Sequence, residues 1–514
     1  MSSLIPTEEQ QAVVDAAAGG ASLKVAAFAG TGKTSTLRLV ADALRRQRIL
    51  YVVFNRAMAS DARALLPKHV EVRTAHSLAF ASTGLPYRTR LRPSLFAARQ
   101  ALLDAHPELT APLRQARLTE YGAAAAVLET VARFTQSADP EITAAHVPDV
   151  IAAMSRAPRL RGLPDAVAAS ARTAWACLTA RDSTLPVTHD VYLKLFQLSR
   201  PALPYDLILF DEAQDANPAM LAIVTAQPRA QQVFVGDRHQ ALYQWRGAVN
   251  AMRTIEAREL PLTQSFRFGR EAARLATAIL RHFKGERRPV RGAPGRSTPV
   301  TARHDEPPDA VLARSNVGVL TAALEAVDAG RRVAVAGGAR PAAESLRAAW
   351  QLFCGEPVRH PEFALFPSWD ALLQAIDESP AIAAQYKPYA RMVERYDREI
   401  PLMCDRLEGE TVDEAASPDV VCSTVHRAKG REWDAVRLAD DFDIVRPAAP
   451  RQRSRGGASA PQPEAVELRP EEANVAYVAV TRARARLDLN GYDRTLRECL
   501  RLVGAPADAL DCAE

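Results

Sequence analysis

Cysteine is scarce in this sequence and forms no metal-binding or redox motif. Six cysteines are scattered over 514 residues without a C-x-x-C pair, so neither a structural zinc site nor an iron–sulfur cluster is indicated. Isolated thiols of this kind are typical of reduced, mostly buried cysteines. We therefore expect an intracellular, reducing environment.

The sequence also lacks a hydrophobic run long enough to span a membrane. No window holds 18 uncharged apolar residues, and the N-terminal stretch MSSLIPTEEQQ has two glutamates where a secretory signal needs an apolar segment. Charge of one sign is not in large excess, because 65 Lys and Arg against 60 Asp and Glu leave a net charge of +5. This balance permits an anionic partner without requiring one. We expect a soluble cytoplasmic protein with no membrane partner.

Short apolar runs alternate with helical segments in two parts of the chain. The runs LKVAAF, RILYVVF, YDLILF and QQVFVG begin at residues 23, 48, 205 and 231. Such alternation predicts a parallel α/β sheet. Comparable runs at 310–316, 332–337, 419–425 and 486–490 predict a second sheet.

Each predicted sheet is interrupted by a segment of helical periodicity. We therefore predict an α/β protein of two parallel-sheet lobes, each carrying a mainly helical insertion. The predicted bounds are 1–83 and 186–268 for the first lobe, 84–185 for its insertion, 269–340 and 415–514 for the second lobe, and 341–414 for a reduced second insertion. Residues 446–470 are rich in proline, glycine and arginine, and this composition predicts a mobile loop.

The segment AFAGTGKT, residues 27–34, resembles a phosphate-binding loop with alanine in place of its first glycine. Gly30 and Gly32 would let the backbone approach phosphate, Lys33 would meet the terminal phosphates, and the Thr34 hydroxyl would hold Mg²⁺. Alanine suffices at Ala27 if that position needs only a small residue. The strand-like run before the loop and the helical run after it favour a nucleotide site. Its predicted binding residues are Ala29, Gly30, Thr31, Gly32, Lys33 and Thr34.

A second acidic motif, LILFDEAQD, follows an apolar run far along the chain. Asp211 at the end of a buried strand could bind Mg²⁺, and Glu212 could orient and deprotonate the attacking water. In isolation, DEAQD could equally be a solvated acidic turn. Together with the phosphate loop, the motif predicts a site for ATP and Mg²⁺.

Eight motifs in their order along the chain resemble those of the superfamily 1 DNA helicases of the UvrD and Rep type. They are PTEEQ (6–10), FNRAMA (54–59), TAHSLAF (74–80), DEAQD (211–215), VGDRHQALYQWRGA (235–248), LTQSFR (262–267), STVHRAKGREWD (423–434) and AYVAVTRAR (476–484). FNRAMA, TAHSLAF and VHRAKGREWD with a trailing DDF look most like the F-box DNA helicase branch. An F-box is not expected ahead of these motifs. The resemblance implies two RecA-like P-loop NTPase lobes.

The resemblance also implies roles in nucleotide chemistry. Gln10 would read the adenine edge and Phe266 would stack on the base, although Gln10 also fits a helix capping box and Phe266 could be a core residue. The remaining roles are γ-phosphate sensing by Gln240, γ-phosphate contact by Arg267 and Arg482, and ribose contact by Glu432. The predicted catalytic set is Lys33, Asp211, Glu212, Gln240, Arg267 and Arg482.

Single strands are held by aromatic stacking and by contacts to the backbone in a positive groove. Eight residues lie in motifs that line such a groove in this family: Phe54, Asn55, Thr74, His76, Tyr243, Trp245, Arg246 and His426. A lone tryptophan is more often a core residue than a stacking platform, but the WRGA context of Trp245 favours the platform. For Tyr243 both interpretations, a core residue and a stacking platform, stay open.

The resemblance implies an ATP-dependent DNA helicase or translocase that moves 3′ to 5′ in repair or recombination. Its partners would be single-stranded DNA and tailed or forked duplex. RNA is not excluded, because stacking platforms tolerate any base, and a protein partner is allowed. Two alternatives stay open. One is a DNA-stimulated ATPase that strips proteins from DNA with little unwinding, which the short second insertion favours. The other is an ATP-gated subunit of a defence or signalling complex.

Overall fold

A computed structural model describes most of the chain. The described residues are 5–92, 95, 98–111, 113, 118–155, 158–242, 250–302, 305–378, 380–442, 444–447, 466–506 and 510. Two six-stranded parallel sheets with flanking helices confirm the predicted α/β class. None of the helices in this part of the chain is both long and apolar enough to cross a membrane.

The first lobe is built on a parallel sheet from the N-terminal half of the chain. Its strands are β1 (Leu23–Ala27), β2 (Ile49–Val53), β3 (Val70–Thr74), β4 (Leu207–Phe210), β5 (Gln231–Gly236) and β6 (Arg258–Leu262), in the order β3-β2-β4-β5-β1-β6. All five residues of β2 are buried, as expected for a sheet covered on both faces. The carboxyl ends of all six strands therefore meet at one edge, which is where ligands bind in such sheets.

Helices cover this sheet and form the first insertion. They are α1 (Glu8–Ala18), α2 (Lys33–Ala43), α3 (Arg56–Leu65), α4 (Ala75–Ala79), α5 (Ala98–Ala105), α6 (Glu120–Gln136), α7 (Asp149–Met154), α8 (Leu163–Thr179), α9 (His189–Leu198), α10 (Pro218–Thr225) and α11 (Ala251–Thr254). The next helix, α12 (Arg270–Lys284), packs into the core of the second lobe. Helices α5 to α9 fall in or next to the predicted insertion.

The second lobe repeats this plan with a second sheet. The strands of the C-terminal half are β7 (Val300–Thr301), β8 (Ala310–Ala313), β9 (Val333–Val335), β10 (Val420–Thr424), β11 (Trp433–Leu438), β12 (Val445–Pro447), β13 (Val466–Leu468) and β14 (Ala483–Asp488). The sheet has the order β7-β14-β11-β8-β10-β9, and β12 pairs antiparallel with β13 outside it. The helices are α13 (Asn316–Asp328), α14 (Arg340–Phe353), α15 (Trp369–Glu378), α16 (Pro380–Tyr396), α17 (Ile400–Glu410), α18 (Val425–Ala428), α19 (Pro470–Val480) and α20 (Tyr492–Leu502).

Two observations differ from the sequence predictions. Strands β3, β6, β7 and β11 were not predicted; β6 contains Pro261, which an edge strand tolerates because its unpaired side needs no donor. The predicted loop 446–470 is wrong at its ends, because β12 and β13 pair with each other there and α19 begins at Pro470. Residues 448–465 of that loop lie outside the described residues. The bounds of the four predicted units stay a prediction.

The two insertions contact each other. The Arg99 guanidinium donates to the carbonyl of Arg359 at 2.7 Å and lies over the Tyr121 ring. The α-carbon of Gly122 approaches the carbonyl of Ala364 so closely that an added Cβ would lie 2.7 Å from that oxygen. The lobes are thus joined at two places, at the strand ends described below and through the insertions.

Candidate nucleotide and nucleic-acid sites

The phosphate loop has the backbone that its glycines predict. Gly30 and Gly32 have φ values of +73° and +76°, in the left-handed region that favours glycine. A Cβ at Gly30 would also lie 2.5 Å from the Ser265 hydroxyl. Ala27 is the buried last residue of β1, so this position needs no left-handed backbone. Alanine can therefore replace the glycine of the motif.

Helix α2 begins at Lys33, directly after the loop. The free backbone amides of its first turn therefore lie beside the Lys33 side chain. The Lys33 ammonium lies 2.8 Å from a carboxylate oxygen of Glu212. Burial alone would lower the pKa of Lys33, but Glu212, Asp237 and Asp211 raise it. Lys33 is therefore a fixed positive charge at neutral pH.

Asp211 and Thr34 form a pair of oxygen ligands. The Thr34 hydroxyl donates to Asp211 at 3.1 Å, the Tyr51 hydroxyl donates to the same carboxylate oxygen at 2.6 Å, and the Glu212 amide donates to the other oxygen at 2.9 Å. Burial and the charge of Glu212 raise the pKa of Asp211. A hydroxyl beside a carboxylate is a donor set that fits Mg²⁺, which prefers oxygen ligands. Tyr51 was missed, because a tyrosine inside an apolar strand carries no signal of its own.

Glu212 is an ionised carboxylate in an uncommon backbone conformation. It has a φ of +52°, which is unusual for a residue other than glycine and is often found at functional sites. Burial alone would raise its pKa, but Lys33 and Lys429 lower it to about 2. The Gln214 amide donates to its second carboxylate oxygen. Glu212 is therefore an oriented carboxylate, ionised at neutral pH.

A tyrosine of the second lobe connects two parts of the first lobe. The Ala29 amide donates to the Tyr477 hydroxyl at 2.9 Å, and this hydroxyl donates to Asp237 at 2.9 Å. The side-chain amide of Gln240 donates to the same carboxylate oxygen of Asp237, Oδ2, at 2.7 Å. Gln240, which was predicted to sense phosphate, is thus linked through Asp237 and Tyr477 to the phosphate loop.

The two predicted arginines lie beside each other. Arg267 donates to Glu432 at 2.6 Å and to the Thr481 carbonyl at 3.3 Å. Arg482 is 1% exposed and donates to the carbonyl of Val478 and the hydroxyl of Thr481 at 2.9 and 3.1 Å. Burial and the charge of Arg267 lower the pKa of Arg482 to about 9, so Arg482 is charged at neutral pH. Glu432, predicted to contact ribose, pairs with Arg267.

A buried ion pair that was not predicted joins the lobes. The Lys429 ammonium contacts Asp215 and the Gln240 carbonyl, each at 2.5 Å. Asp215 is 4% exposed; burial and the nearby Glu212 raise its pKa to about 6, although Lys429 opposes this shift. Both residues belong to quoted motifs, so their opposite charges were a signal that could have been used.

This ion pair predicts a pH dependence. Asp215 is ionised above pH 6 and protonated below it, so its ion pair with Lys429 weakens as the pH falls through about 6. We expect the ATPase kcat to fall over the same interval. Asp215→Asn should be less active, and its kcat should no longer fall near pH 6. The control Glu259→Gln, which changes a different ion pair, should keep the fall in kcat. If the kcat of Asp215→Asn still fell near pH 6, a different group would be the one that titrates.

The predicted adenine residues stand on one side of the loop. A Cβ at Gly32 would lie 3.1 Å from the Gln10 amide nitrogen and 3.7 Å from the Phe266 ring. Gln10 forms the capping box with Thr7 through its backbone amide and its side-chain oxygen, which leaves its amide nitrogen directed at the loop. Phe266 is 48% exposed, which contradicts the core alternative.

The predicted nucleic-acid residues follow the ends of strands. Phe54 follows β2 and His76 follows β3, at the carboxyl edge of the first sheet; His426 lies in α18 after β10 of the second. Asn55 and Thr74 cap α3 and α4 through their side-chain oxygens, and Thr74 is buried. His76 contacts Asp190 at 2.9 Å. Tyr243, Trp245 and Arg246 lie outside the described residues.

Two parallel sheets joined at a phosphate loop, an acidic strand end and a pair of arginines define a two-lobe P-loop nucleotide-binding protein. A family model described as an AAA domain matches residues 10–246, and one described as the UvrD-like helicase C-terminal domain matches residues 398–492. These matches confirm the resemblance to the UvrD/Rep-like helicases of superfamily 1 seen in the motifs.

Two relatives extend the similarity over nearly the whole chain. The chain is 32% identical over 524 residues to "F-box DNA helicase 1" of Gallus gallus, covering 97% of this chain and 50% of that protein. It is 31% identical over 521 residues to "F-box DNA helicase protein 1" of Schizosaccharomyces pombe (strain 972 / ATCC 24843), covering 94% of this chain and 57% of that protein. The chain thus spans about half the length of the relatives it matches.

Proposed function

We propose that the protein is an ATP-dependent DNA helicase or translocase that moves 3′ to 5′ on single-stranded DNA and acts in repair or recombination. The observation that supports this most is that residues of both lobes meet at the phosphate loop. Lys429, Tyr477 and Arg482 of the second lobe contact or face the groups that surround Lys33 and Glu212. The names of the two relatives, both F-box DNA helicases, support DNA as the substrate.

The chemistry of the site is hydrolysis of the terminal phosphate of ATP. Thr34 and Asp211 would hold Mg²⁺, which neutralises phosphate charge when bound. Lys33 and the amides of the loop bind the phosphates, and Glu212 accepts a proton from the attacking water. Arg267 and Arg482 offset the negative charge that develops in the transition state.

Hydrolysis would be coupled to movement because the bound phosphates touch both lobes. Arg482 and Lys429 belong to the second lobe, whereas Lys33 and Glu212 belong to the first. Loss of the terminal phosphate removes the anion that these opposing cations share, so the attraction between the lobes weakens. The lobes carry Phe54, His76 and His426 at their strand ends, and a change in lobe separation would shift the DNA relative to them.

The ATPase rate should be measured with single-stranded DNA, single-stranded RNA and blunt duplex, followed by strand displacement from duplexes with a 3′ or a 5′ tail. The proposal expects strong stimulation by single-stranded DNA and displacement from the 3′-tailed duplex only. Displacement from the 5′-tailed duplex alone would contradict the polarity. An ATPase that ignores all three nucleic acids would favour the ATP-gated subunit.

The small second insertion favours a second candidate, a translocase that strips proteins from DNA with little unwinding. Its helices α14 to α17 lie in or next to 341–414, and the loop before α15 contacts the first insertion through Arg359. Removal of a tightly bound protein from single-stranded DNA, without strand displacement on either tailed duplex, would identify this activity. A cytoplasmic location stays a prediction.

Trp245→Ala is expected to weaken single-strand binding about 5- to 150-fold, because one stacking contact contributes ~1 to 3 kcal/mol. ATP affinity should persist, since the change leaves Lys33 and Glu212 intact. DNA affinity, melting temperature and strands displaced per ATP should be measured on this one variant. A core tryptophan would instead lose ~3 to 5 kcal/mol of folding stability, with both activities falling together.

A further inference from the structure

A large groove lies on the second lobe, away from the phosphate loop. It has a volume of about 1120 Å³ and runs between α13, α16 and the ends of β8 and β11. The second insertion supplies one wall through α16, and the second sheet supplies the floor. Helix α16 is fixed beside the start of α13, because the Asn316 amide donates to the buried Tyr389 hydroxyl at 3.1 Å.

Three carboxylates of the groove already have partners within the chain. Glu472 accepts two hydrogen bonds from Arg314, at 2.6 and 2.8 Å. Asp441 accepts from the Arg314 amide and from the amide and hydroxyl of Ser315, each at 2.8 Å. Asp440 accepts from the Asn490 amide at 3.0 Å. Their negative charge is therefore partly satisfied before any ligand arrives.

The wall formed by α16 is different in charge. Lys387, Arg391 and Arg395 line the groove and are exposed. Within the described part of the chain none of the three makes an ion pair, although Arg395 lies over the Tyr396 ring. They recur every four residues, so they form a row on one helix face with a spacing of about 6 Å along the axis. A row of exposed cations without acidic partners is suited to a ligand that carries regularly spaced negative charges.

The groove lies next to the strand end that carries His426, the predicted nucleic-acid residue of the second lobe. His426 belongs to α18, which packs against α19, and α19 carries the groove residue Glu472. His426 and the groove entrance at Arg314 both follow strand ends of the same sheet, since β10 pairs with β8 in parallel. A strand that contacts His426 can therefore continue along α16.

We propose that Lys387, Arg391 and Arg395 bind the phosphates of single-stranded DNA beyond His426. The second insertion would then extend the DNA path with backbone contacts that do not depend on base sequence. This inference rests on the proposed function, since it requires that the protein binds single-stranded DNA at all.

The test uses the full chain with Lys387, Arg391 and Arg395 all changed to Gln, which removes charge and keeps good helix formers. A matched control changes Arg45, Arg46 and Lys68 to Gln, three exposed cations near the amino ends of the first lobe's strands. Affinity for a fluorescent oligothymidylate is measured from low to moderate salt for wild type and both variants. Each lost phosphate contact lowers the slope of log affinity against log salt by ~0.7 on single strands.

The proposal expects the α16 triple variant to lose ~2 from that slope, Arg391→Gln alone to lose ~0.7, and the control to keep the wild-type value. The ATPase rate without DNA should be unchanged in all three. A wild-type slope in the folded α16 variant would overturn this inference alone. A wild-type protein that binds no single-stranded DNA would instead overturn the proposed function. If the triple variant had a lower melting temperature than wild type, the salt dependence of DNA affinity in Arg391→Gln alone would decide the question.

Discussion

Glu212→Gln is expected to slow ATP hydrolysis by ~10²- to 10⁴-fold while ATP binding persists, because the variant loses the positioned base but keeps the shape of the side chain. In the wild type, the carboxylate is ionised and held by Lys33 at 2.8 Å. An amide in its place can still contact Lys33 through its oxygen but cannot accept a proton from water.

Turnover under single-turnover conditions and the affinity for a non-hydrolysable ATP analogue together check this prediction. Glu212→Asp is the matched control, because it keeps the carboxylate but withdraws it by one methylene and should retain part of the rate. Near-normal turnover in Glu212→Gln would show that a different group activates the water. A parallel loss of nucleotide binding would mean that Glu212 mainly organises Lys33.

Arg482→Ala is expected to lower hydrolysis by ~10³-fold or more and to weaken ATP binding much less, because an arginine at the terminal phosphate acts mainly on transition-state charge. The structure adds a second effect. Arg482 is buried and donates to Val478 and Thr481, so truncation also leaves buried acceptors unsatisfied, at a cost of ~1 to 3 kcal/mol in folding stability.

The two effects are separated by measuring kcat, ATP affinity and melting temperature on the same samples. Arg482→Lys keeps the charge but loses the planar fork of donors, so it should recover more of the ATP chemistry than of the internal hydrogen bonding. Equal losses of ATP binding and turnover in folded Arg482→Ala would identify the residue as a ground-state anchor.

The sequence predicts strands that are continuous apolar runs better than strands that mix charged and apolar residues. Strand β2 is a continuous run of buried apolar residues, and such a run is recognisable without knowledge of its neighbours. Strands β6 and β11 mix charged residues with apolar ones, and their pairing is decided by contacts with distant strands. Periodicity within a short window cannot contain that information.

For the site, the motifs predict residue identities but not the contacts between the lobes. The left-handed glycines and the pairing of Thr34 with Asp211 follow from local motif chemistry. The contacts of Tyr51, Tyr477 and Lys429 join residues more than 150 positions apart in the chain. No single motif specifies these pairings, even where both partners lie in motifs, as Lys429 and Asp215 do. A residue's position in a motif also does not establish its role. Asn55 caps α3 with its side chain, and this accounts for the residue without any contact to DNA.

The bond from the Ala29 amide to the Tyr477 hydroxyl also has a consequence for the synthesis of the protein on the ribosome. Tyr477 leaves the ribosome 448 residues after Ala29 of the phosphate loop. At ~5 to 20 residues per second, the interval is on the order of tens of seconds. A nascent chain therefore carries a phosphate loop without its second-lobe partners throughout this interval, and hydrolysis by the scheme above can begin only after Arg482 has been synthesised.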